Sequence, residues 1–341
     1  MDTTLPQRFT ELSLHSLKHV QNQPLQLIQQ DFQQATSLEF SPQSVRFKLP
    51  PKTLKPIHQE TTVAAIDTSV IKIGETITGT LIAVRGANVL KHNKHYRYTR
   101  LGPFIFHITE ENKHQVYNTL QEAYFDPSSS LNRYSLPSLQ QTPTRIANLL
   151  ERWLQSMTAK TLSSSIILFD GSLTAGTPDT PILLMKQILT SARRQCNTVL
   201  AFSKMTNLRF NGHVITDLPV GNKPPYLLEM DGFRPKPPIT VLGDVYVAKL
   251  AHGNFAFRLD IDKEVPNEQK IQSVEKLVGN DPLSQSYPET LRLAHIFCTF
   301  TANEVVAMQH FATRQYGLKI LNRPDMHSLL FGPFGKGEYH S

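Results

Sequence analysis

The chain has 341 residues, 40% of them hydrophobic, and its 35 basic and 28 acidic side chains give a formal net charge of +7. This length and apolar content can fill a full hydrophobic core, so we predict a soluble globular protein. The longest apolar runs fall far below the roughly 18–20 residues that cross a bilayer, which excludes a membrane protein, and the mild basic excess leaves a polyanionic partner open.

Cysteine usage and the first residues both bear on the compartment. The chain has two cysteines, Cys196 and Cys298, which are far apart and lack metal-ligand spacing. This argues against a disulfide framework and against a zinc ribbon. The N-terminus has no basic region followed by an apolar one, so we expect no secretion and a cytoplasmic location.

The N-terminal segment is polar and rich in glutamine. Residues 1 to about 50 predict one or two amphipathic helices, which end at the proline-rich Leu49-Pro50-Pro51-Lys52. We expect residues 1–55 to be a helical lead-in, 56–315 to be the main domain and 316–341 to be a C-terminal tail.

Three consecutive strands follow, predicted over 62–73, 76–85 and 96–107. In the first, the apolar run Val63-Ala64-Ala65-Ile66 ends on Asp67, followed by Thr68 and Ser69. An acid in that frame lies at a sheet rim, where the backbone leaves the core.

A basic cluster with interleaved aromatic residues lies between the second and third strands. Cations for phosphates and rings for stacking are what a single-strand nucleic-acid path needs. The alternative is a solvated hairpin with cross-strand tyrosine contacts. The candidate DNA-binding residues are Lys91, Lys94, Tyr96, Arg97 and Arg100.

Helices and strands alternate after the third strand. A helical stretch follows Glu111, then come a turn-rich segment over 126–143, a helix over 144–157 and the strand Ile166-Ile167-Leu168-Phe169 that ends on Asp170. A helix near 180–195 and a strand over 198–202 lead into Ser203-Lys204. The order is therefore three strands, then helix, strand, helix, strand.

That order predicts the fold class: an α/β, RNase H-like mixed sheet flanked by helices, with the N-terminal helical lead-in and a C-terminal extension. In such a sheet the first strand lies beside the fourth, which makes Asp67 and Asp170 neighbours. A Rossmann or flavodoxin-like sheet would alternate strand and helix from the start and would carry a glycine-rich first turn, which is not found after Asp67.

The remainder of the chain predicts an elaboration of this sheet. A proline-rich stretch over 219–238 precedes strands near 239–249 and 254–260, a helix near 267–278, and a long helix after Tyr287-Pro288. The proline suits a first helical turn.

Two aspartates in matching frames suggest a metal site, because converging carboxylates repel unless a cation lies between them. A third acid is then needed, and Glu151 is the best candidate, since its helix directly precedes the Asp170 strand. The alternative is a surface glutamate on an amphipathic helix. On the last helix, His295 is either a core histidine or a residue that binds metal, orients water or moves a proton.

Together these residues resemble the NurA nucleases over roughly residues 60–310. The likeness rests on the ordered set: Asp67 after its strand, Asp170-Gly171-Ser172-Leu173, a glutamate in the preceding helix, Ser203-Lys204, and Tyr287 with His295. It implies an RNase H-like, Mn²⁺-dependent (or Mg²⁺-dependent) nuclease with single-strand endonuclease and 5′-to-3′ exonuclease activity. It also implies a homodimer that resects DNA ends and acts in double-strand break repair with a hexameric HerA ATPase.

The resemblance also implies roles for individual residues. Asp67, Glu151, Asp170 and His295 would bind the metal, Lys204 would face a phosphate or developing negative charge, and Tyr287 would be a site residue of unassigned role. The family motif Asp-Gly-Ser is Asp67-Thr68-Ser69 here, which adds a Cβ where close approach was allowed.

Two other readings stay open. The first is a non-catalytic DNA-binding or ATPase-adaptor subunit on the same fold, since a fold does not settle function. The second is a resolvase or Argonaute-type nuclease, in which Lys204 and the helix of His295 are not expected in this order.

Overall fold

The computed structural model describes residues 5–18, 20–27, 46–124, 137–210, 213–217, 223–231, 233 and 235–321. Helices among these residues are α1 (Leu5–Lys18), α2 (Lys113–Tyr124), α3 (Thr142–Thr161), α4 (Ile182–Arg194), α5 (Asn267–Asn280), α6 (Glu289–Cys298) and α7 (Ala302–Tyr316), with a short 3₁₀ helix at Ile215–Asp217. In the described part of the chain no helix is both long and apolar enough to cross a membrane.

The strands belong to one large sheet and three small two-stranded ones. They are β1 (Pro24–Leu27), β2 (Arg46–Thr53), β3 (Val63–Glu75), β4 (Gly79–His92), β5 (His95–Thr109), β6 (Ile166–Asp170), β7 (Thr174–Ala175), β8 (Thr198–Ser203), β9 (Arg209–Phe210), β10 (His213–Val214), β11 (Tyr226–Asp231), β12 (Thr240–Val241), β13 (Gly243–Lys249), β14 (Phe257–Asp262), β15 (Leu283–Ser284), β16 (Tyr287–Pro288) and β17 (Lys319–Leu321).

The centre of the large sheet has the predicted strand order. Strands β3, β4 and β5 form an antiparallel meander, β3 pairs in parallel with β6, and β6 pairs in parallel with β8. The order β5-β4-β3-β6-β8 puts the first strand of the meander beside the fourth strand, which confirms the RNase H-like mixed sheet.

The parallel centre is covered by helices on both faces, as its continuous apolar runs require. On one face Ile66 and Phe169 pack with α1, α3 and α4, while on the other Ala65 and Leu168 pack with α5 and α6. Successive residues of a strand alternate between the faces. Each fully buried aliphatic side chain contributes roughly 1.5–3 kcal/mol, so this two-sided packing fixes the strand register.

The N-terminal prediction is partly wrong. Helix α1 forms, and its Leu5 and Phe9 are fully buried in the main core. Residues Pro24–Leu27 and Arg46–Thr53 are strands, although the sequence predicted only helix, as one or two segments, up to about residue 50. Strand β2 pairs with β11 at the sheet edge, and an edge strand tolerates the two prolines that no helix interior accepts.

Antiparallel strands extend the sheet on the far side of β8. Strands β14, β13, β11 and β2 follow in that order, while β1 joins the other end of β3 and pairs in parallel with β17. Lys319–Leu321 of the expected tail therefore belong to the sheet, and Tyr316 ends α7. The tail after Leu321, residues 126–136 of the turn-rich segment, and Pro219 lie outside the described residues.

The long helix predicted after Tyr287-Pro288 is two helices. Helix α6 ends at Cys298, and after Thr299 the chain enters α7, whose N-cap Thr301 forms a capping box with Glu304. A cap of this kind satisfies the free N–H groups of a new helix, so the break is specified locally. Tyr287 itself lies in β16, before the helix.

Candidate metal centre

The two aspartates lie at matching positions on neighbouring parallel strands, at the rim where β6 ends with Asp170. Strand β3 itself continues past Asp67 to Glu75. Ile66 of β3 is in register with Phe169 of β6, so Asp67 and Asp170 are the next residues on neighbouring strands. Burial raises the pKa of Asp170, and the negative charge of Asp67 raises it further. The two carboxylates therefore share one electrostatic environment at this rim.

Asp67 is held between its own backbone and α6. Its side chain is buried, with Oδ1 accepting the Thr68 backbone N–H at 2.7 Å and Oδ2 lying 2.7 Å from His295 Nδ1. Because a carboxylate only accepts, the imidazole proton sits on Nδ1. A neutral His295 then keeps Nε2 as its lone-pair nitrogen, the arrangement found when a carboxylate orients a metal-binding histidine.

Asp170 is paired with a lysine from the next strand end. Lys204 Nζ lies 2.7 Å from Asp170 Oδ2, and its positive charge lowers the pKa of Asp170 against burial and Asp67. The lysine side chain is 39% exposed, so it reaches solvent as well as the carboxylate.

Glu151 is a buried carboxylate on α3 and not a surface residue. Its pKa rises from 4.5 to about 7, chiefly through burial, while Asp67 and Asp170 raise it further and Arg152 opposes them. Its Oε1 accepts a hydrogen bond from Gln155 Nε2 at 2.8 Å. The ionised form of Glu151 is therefore unfavourable, because it is buried and is repelled by Asp67 and Asp170. A bound cation would stabilise this ionised form.

Tyr287 lies beside this group of carboxylates. Its hydroxyl is buried and has no hydrogen-bond partner among the described residues, and its ring lies 5.9 Å from Lys204 Nζ. Burial first, then the charges of Asp170 and Asp67, raise the pKa of the phenol far above its usual range. A neutral O–H donor is therefore available at the edge of the site.

Two further residues lie at the site and were not predicted from the sequence. Asp179 is buried, accepts a hydrogen bond from Asn148 Nδ2 and raises the pKa of Glu151. It lies in an irregular loop, so no periodic signal marks it.

Cys298 is the other missed residue. Its Sγ, an imidazole nitrogen of His295 and a carboxylate oxygen of Asp67 all lie within 4.8 Å of one another. Burial raises the pKa of the thiol far above its usual range, so it is a neutral group. The spacing of three residues from His295 on one helix face was the available signal.

An arginine anchors the end of α6 to the sheet. Arg85 of β4 is buried and donates to Thr299 O at 3.0 Å and to Glu304 Oε1 at 2.8 Å, with its guanidinium 4.3 Å from the centroid of the Phe300 ring. The Arg85 hydrogen bond holds the pKa of Glu304 down at about 2. This clamp fixes the helix that carries His295.

The basic cluster forms the tip of the β4–β5 hairpin, and two of its cations have partners within the chain. Lys91 is buried and donates to the carbonyls of Asn93 and Asn280, and Arg100 lies 3.1 Å from Glu304 Oε1. These contacts give Lys91 a structural role, which the sequence analysis did not foresee.

The other residues of the cluster face solvent. Lys94 and Arg97 are exposed, and Tyr96 is 38% exposed. The neighbouring Tyr98 stacks on Phe297 of α6, with ring centroids 4.3 Å apart. The tyrosine contacts of the hairpin thus reach α6 and not only the opposite strand.

Comparison with solved structures finds several that match most of this chain. The crystal structure of the NurA nuclease from Sulfolobus solfataricus has 15% sequence identity and a TM-score of 0.50, with 78% of this chain and 88% of that chain covered. A NurA structure bound to dAMP and manganese has 9% identity, a TM-score of 0.42 and coverages of 81% and 92%. An endonuclease V from Bacillus subtilis has 13% identity, a TM-score of 0.33 and coverages of 77% and 86%.

The chain therefore has the fold of the first of these, a NurA nuclease structure. At this identity the likeness concerns the fold alone. Neither a protein-family model nor a curated protein sequence matches the chain.

Proposed function

We propose that the chain is a metal-dependent deoxyribonuclease that hydrolyses phosphodiester bonds. The observation that carries the proposal is a group of three carboxylates near the end of β6: the buried Asp67, the buried Glu151 of α3 and the partly buried Asp170. His295 contacts Asp67 directly, and Lys204 contacts Asp170. Oxygen-rich donors with one imidazole suit Mn²⁺ and Mg²⁺.

The donor chemistry fits such an ion. Burial and mutual repulsion raise the pKa values of Glu151 and Asp170, so a divalent cation would relieve an electrostatic cost already present in the fold. We propose that Asp67, Glu151, Asp170 and His295 hold the metal. The neutral thiol of Cys298 is a soft donor and stays outside this ligand set. When bound, the ion supplies Lewis-acid polarisation of a phosphoryl oxygen and activation of water.

The remaining residues act on the phosphate and on proton transfer. Lys204 is partly exposed beside Asp170, so its ammonium can stabilise charge that develops on the scissile phosphate. Tyr287 offers an unpartnered hydroxyl to the same region. His295, oriented by Asp67, can take or give a proton if it is not a ligand.

The substrate side of the proposal rests on the exposed hairpin tip. The exposed Lys94, Arg97 and Tyr96 offer two cations and a ring to a single strand. Arg100 adds a third cation, shared with Glu304. We propose that single-stranded DNA and duplex ends pass along this hairpin toward the carboxylates.

The biological setting is proposed from the resemblance and is supported by the shared fold. It comprises single-strand endonuclease and 5′-to-3′ exonuclease activity, DNA end resection and double-strand break repair with a HerA-type ATPase, a homodimer and a cytoplasmic location. The domain division at residues 55 and 315 stays a prediction.

Cleavage of end-labelled linear and single-stranded DNA tests the proposal. Purified protein is incubated with Mn²⁺, Mg²⁺ or EDTA, beside Asp170→Ala and Asp67→Ala. We expect metal-dependent degradation that both substitutions abolish while the circular dichroism spectrum stays that of the folded protein. A folded Asp170→Ala protein with full activity would contradict the carboxylate site. Mn²⁺ binding without cleavage, even with a HerA-type ATPase added, would favour the adaptor subunit.

A further inference from the structure

A cavity of about 600 Å³ opens next to the carboxylates, beyond the ends of β6 and β8. It is lined by the residues that follow Asp170 in the chain, by Lys204 and Met205, and by Phe233 and Ile239 on the opposite side. This volume is within the roughly 300–1,000 Å³ that small-molecule sites occupy. The cavity is therefore large enough for more than a metal ion.

The lining combines an apolar wall with a few polar groups. Met205, Phe233 and Ile239 supply the apolar surface, while Ser172 and Asn207 supply hydroxyl and amide groups. A ring with polar neighbours is the composition that takes a flat heterocycle with a sugar attached.

The wall is fixed by a buried ion pair, whose arginine also lines the cavity. Arg258 is buried and donates to both carboxylate oxygens of Asp260 at 2.7 Å, and its guanidinium lies 5.3 Å from the centroid of the Phe233 ring. Asp260 also accepts the Leu173 backbone N–H at 3.0 Å. One buried pair thus holds both the loop after Asp170 and the ring across the cavity, so the cavity is preformed.

Lys204 connects the cavity with the carboxylates. Its ammonium lies 2.7 Å from Asp170, and the same side chain lines the cavity. A ligand in the cavity that carries a phosphate therefore meets the Lys204 ammonium before it reaches the carboxylates. A nucleotide, with its phosphate at one end and its base at the other, has this layout.

We propose that the cavity is a nucleoside subsite, which holds the base and sugar of the nucleotide next to the scissile phosphate, with the base stacked on Phe233. The inference rests on the proposed nuclease function. It adds that the protein binds the base and sugar next to the scissile phosphate. Stacking is tolerant of base identity, because every base has a π-face. The subsite therefore holds a strand in register without selecting a sequence.

The test is a fluorescence measurement of base stacking. Short single strands carry 2-aminopurine at one position at a time and are mixed with Asp67→Asn protein in Mg²⁺, a background that prevents cleavage and leaves Lys204 paired with Asp170. We expect quenching at one position only. Phe233→Ala removes this quenching and weakens binding by about 5- to 150-fold, whereas Phe233→Trp retains both.

Phe311→Ala is the matched control, because this ring is 49% exposed and lies on α7 against Tyr316. We expect it to leave quenching and affinity unchanged. Equal losses in Phe311→Ala and Phe233→Ala, or quenching that survives Phe233→Ala, would overturn the subsite.

Cleavage by the otherwise unmodified protein is measured in parallel with Mn²⁺. If the protein cleaves DNA but Phe233→Ala does not change the quenching, the subsite is overturned and the proposed nuclease function is supported. If Phe233→Ala removes the quenching but the protein does not cleave DNA, the cavity is supported as a nucleotide-binding site and the proposed nuclease function is contradicted.

Discussion

Replacing Glu151 with glutamine should stabilise the metal-free protein at high pH. The glutamate is buried on α3, and its pKa rises from 4.5 to about 7 through burial and through Asp67 and Asp170. Glutamine keeps the size and the acceptor oxygen for the hydrogen bond from Gln155 but cannot ionise. The substitution therefore isolates the cost of placing a negative charge there.

The sign and size follow from linkage between protonation and folding. Below about pH 4.5 both states hold the proton, so the glutamate costs nothing. Between pH 4.5 and about 7 the unfolded state ionises first, so stability falls as pH rises. Above pH 7 the cost is constant at about 3 kcal/mol, equivalent to a Tm difference of the order of 5 °C for a chain of this size.

Thermal unfolding in EDTA at about pH 5 and about pH 8 measures this difference. We expect Glu151→Gln to gain stability relative to the unsubstituted protein only at the higher pH. Mn²⁺ at 1,000 times Kd should reverse the ranking, because binding to the folded state then stabilises by about 4.1 kcal/mol, which exceeds the cost of about 3 kcal/mol, and needs the ionised carboxylate. A stability difference that is the same at both pH values and unaffected by Mn²⁺ would refute the reasoning.

Glu304→Gln is the opposite control. Arg85 lowers the pKa of Glu304 to about 2, so this carboxylate stabilises the fold above about pH 4.5, and the stabilisation is lost as pH falls toward 2. We expect Glu304→Gln to lose stability at about pH 8, where Glu151→Gln gains it.

Three further outcomes are expected. Lys204→Ala should move the acid limb of the pH–activity profile to higher pH, because the ammonium lowers the pKa of Asp170, and Lys204→Arg should restore it in part. Arg85→Met should cost about 1–3 kcal/mol in urea unfolding, because Thr299 O and Glu304 lose a buried donor. Arg100→Met, at the exposed pair with the same carboxylate, should cost about 0–1 kcal/mol. Cys298 should resist a thiol reagent until the protein unfolds, because its thiol is buried and neutral.

Each of these has a contradicting result. An unshifted pH profile in Lys204→Ala would separate the lysine from Asp170 ionisation. Equal costs for the two arginine substitutions would mean that burial does not distinguish the pairs. Rapid labelling of Cys298 in the native protein would show that α6 opens.

The central sheet could be predicted because its information is local. Apolar runs such as residues 166–169 indicate a strand that is buried on both faces. The order of strands and helices along the chain is then compatible with only a few sheet topologies. The N-terminal strands could not be predicted, because they depend on partners that are distant in the chain. Arg46–Thr53, for example, pairs with β11.

The candidate site was predictable to the extent that it follows strands. Asp67 and Asp170 end apolar runs, so their meeting follows from the strand order. The burial of Glu151 depends on which face of α3 meets the sheet, and Asp179 lies on a loop that carries no periodic pattern. The number of basic residues in a segment does not predict which of them can bind DNA, because it cannot distinguish the buried Lys91 from the exposed Lys94.

The contact between His295 and Asp67 joins residues 228 positions apart in the chain. A ribosome that adds about 5–20 residues per second needs about 11 to 46 seconds to travel from the aspartate to the histidine. Between the synthesis of Asp170 and that of His295, the nascent chain has both aspartate strands but lacks the imidazole and the helix that carries it. The finished site therefore forms only after synthesis has passed His295, and a translation product that ends before this residue has the carboxylates without their histidine.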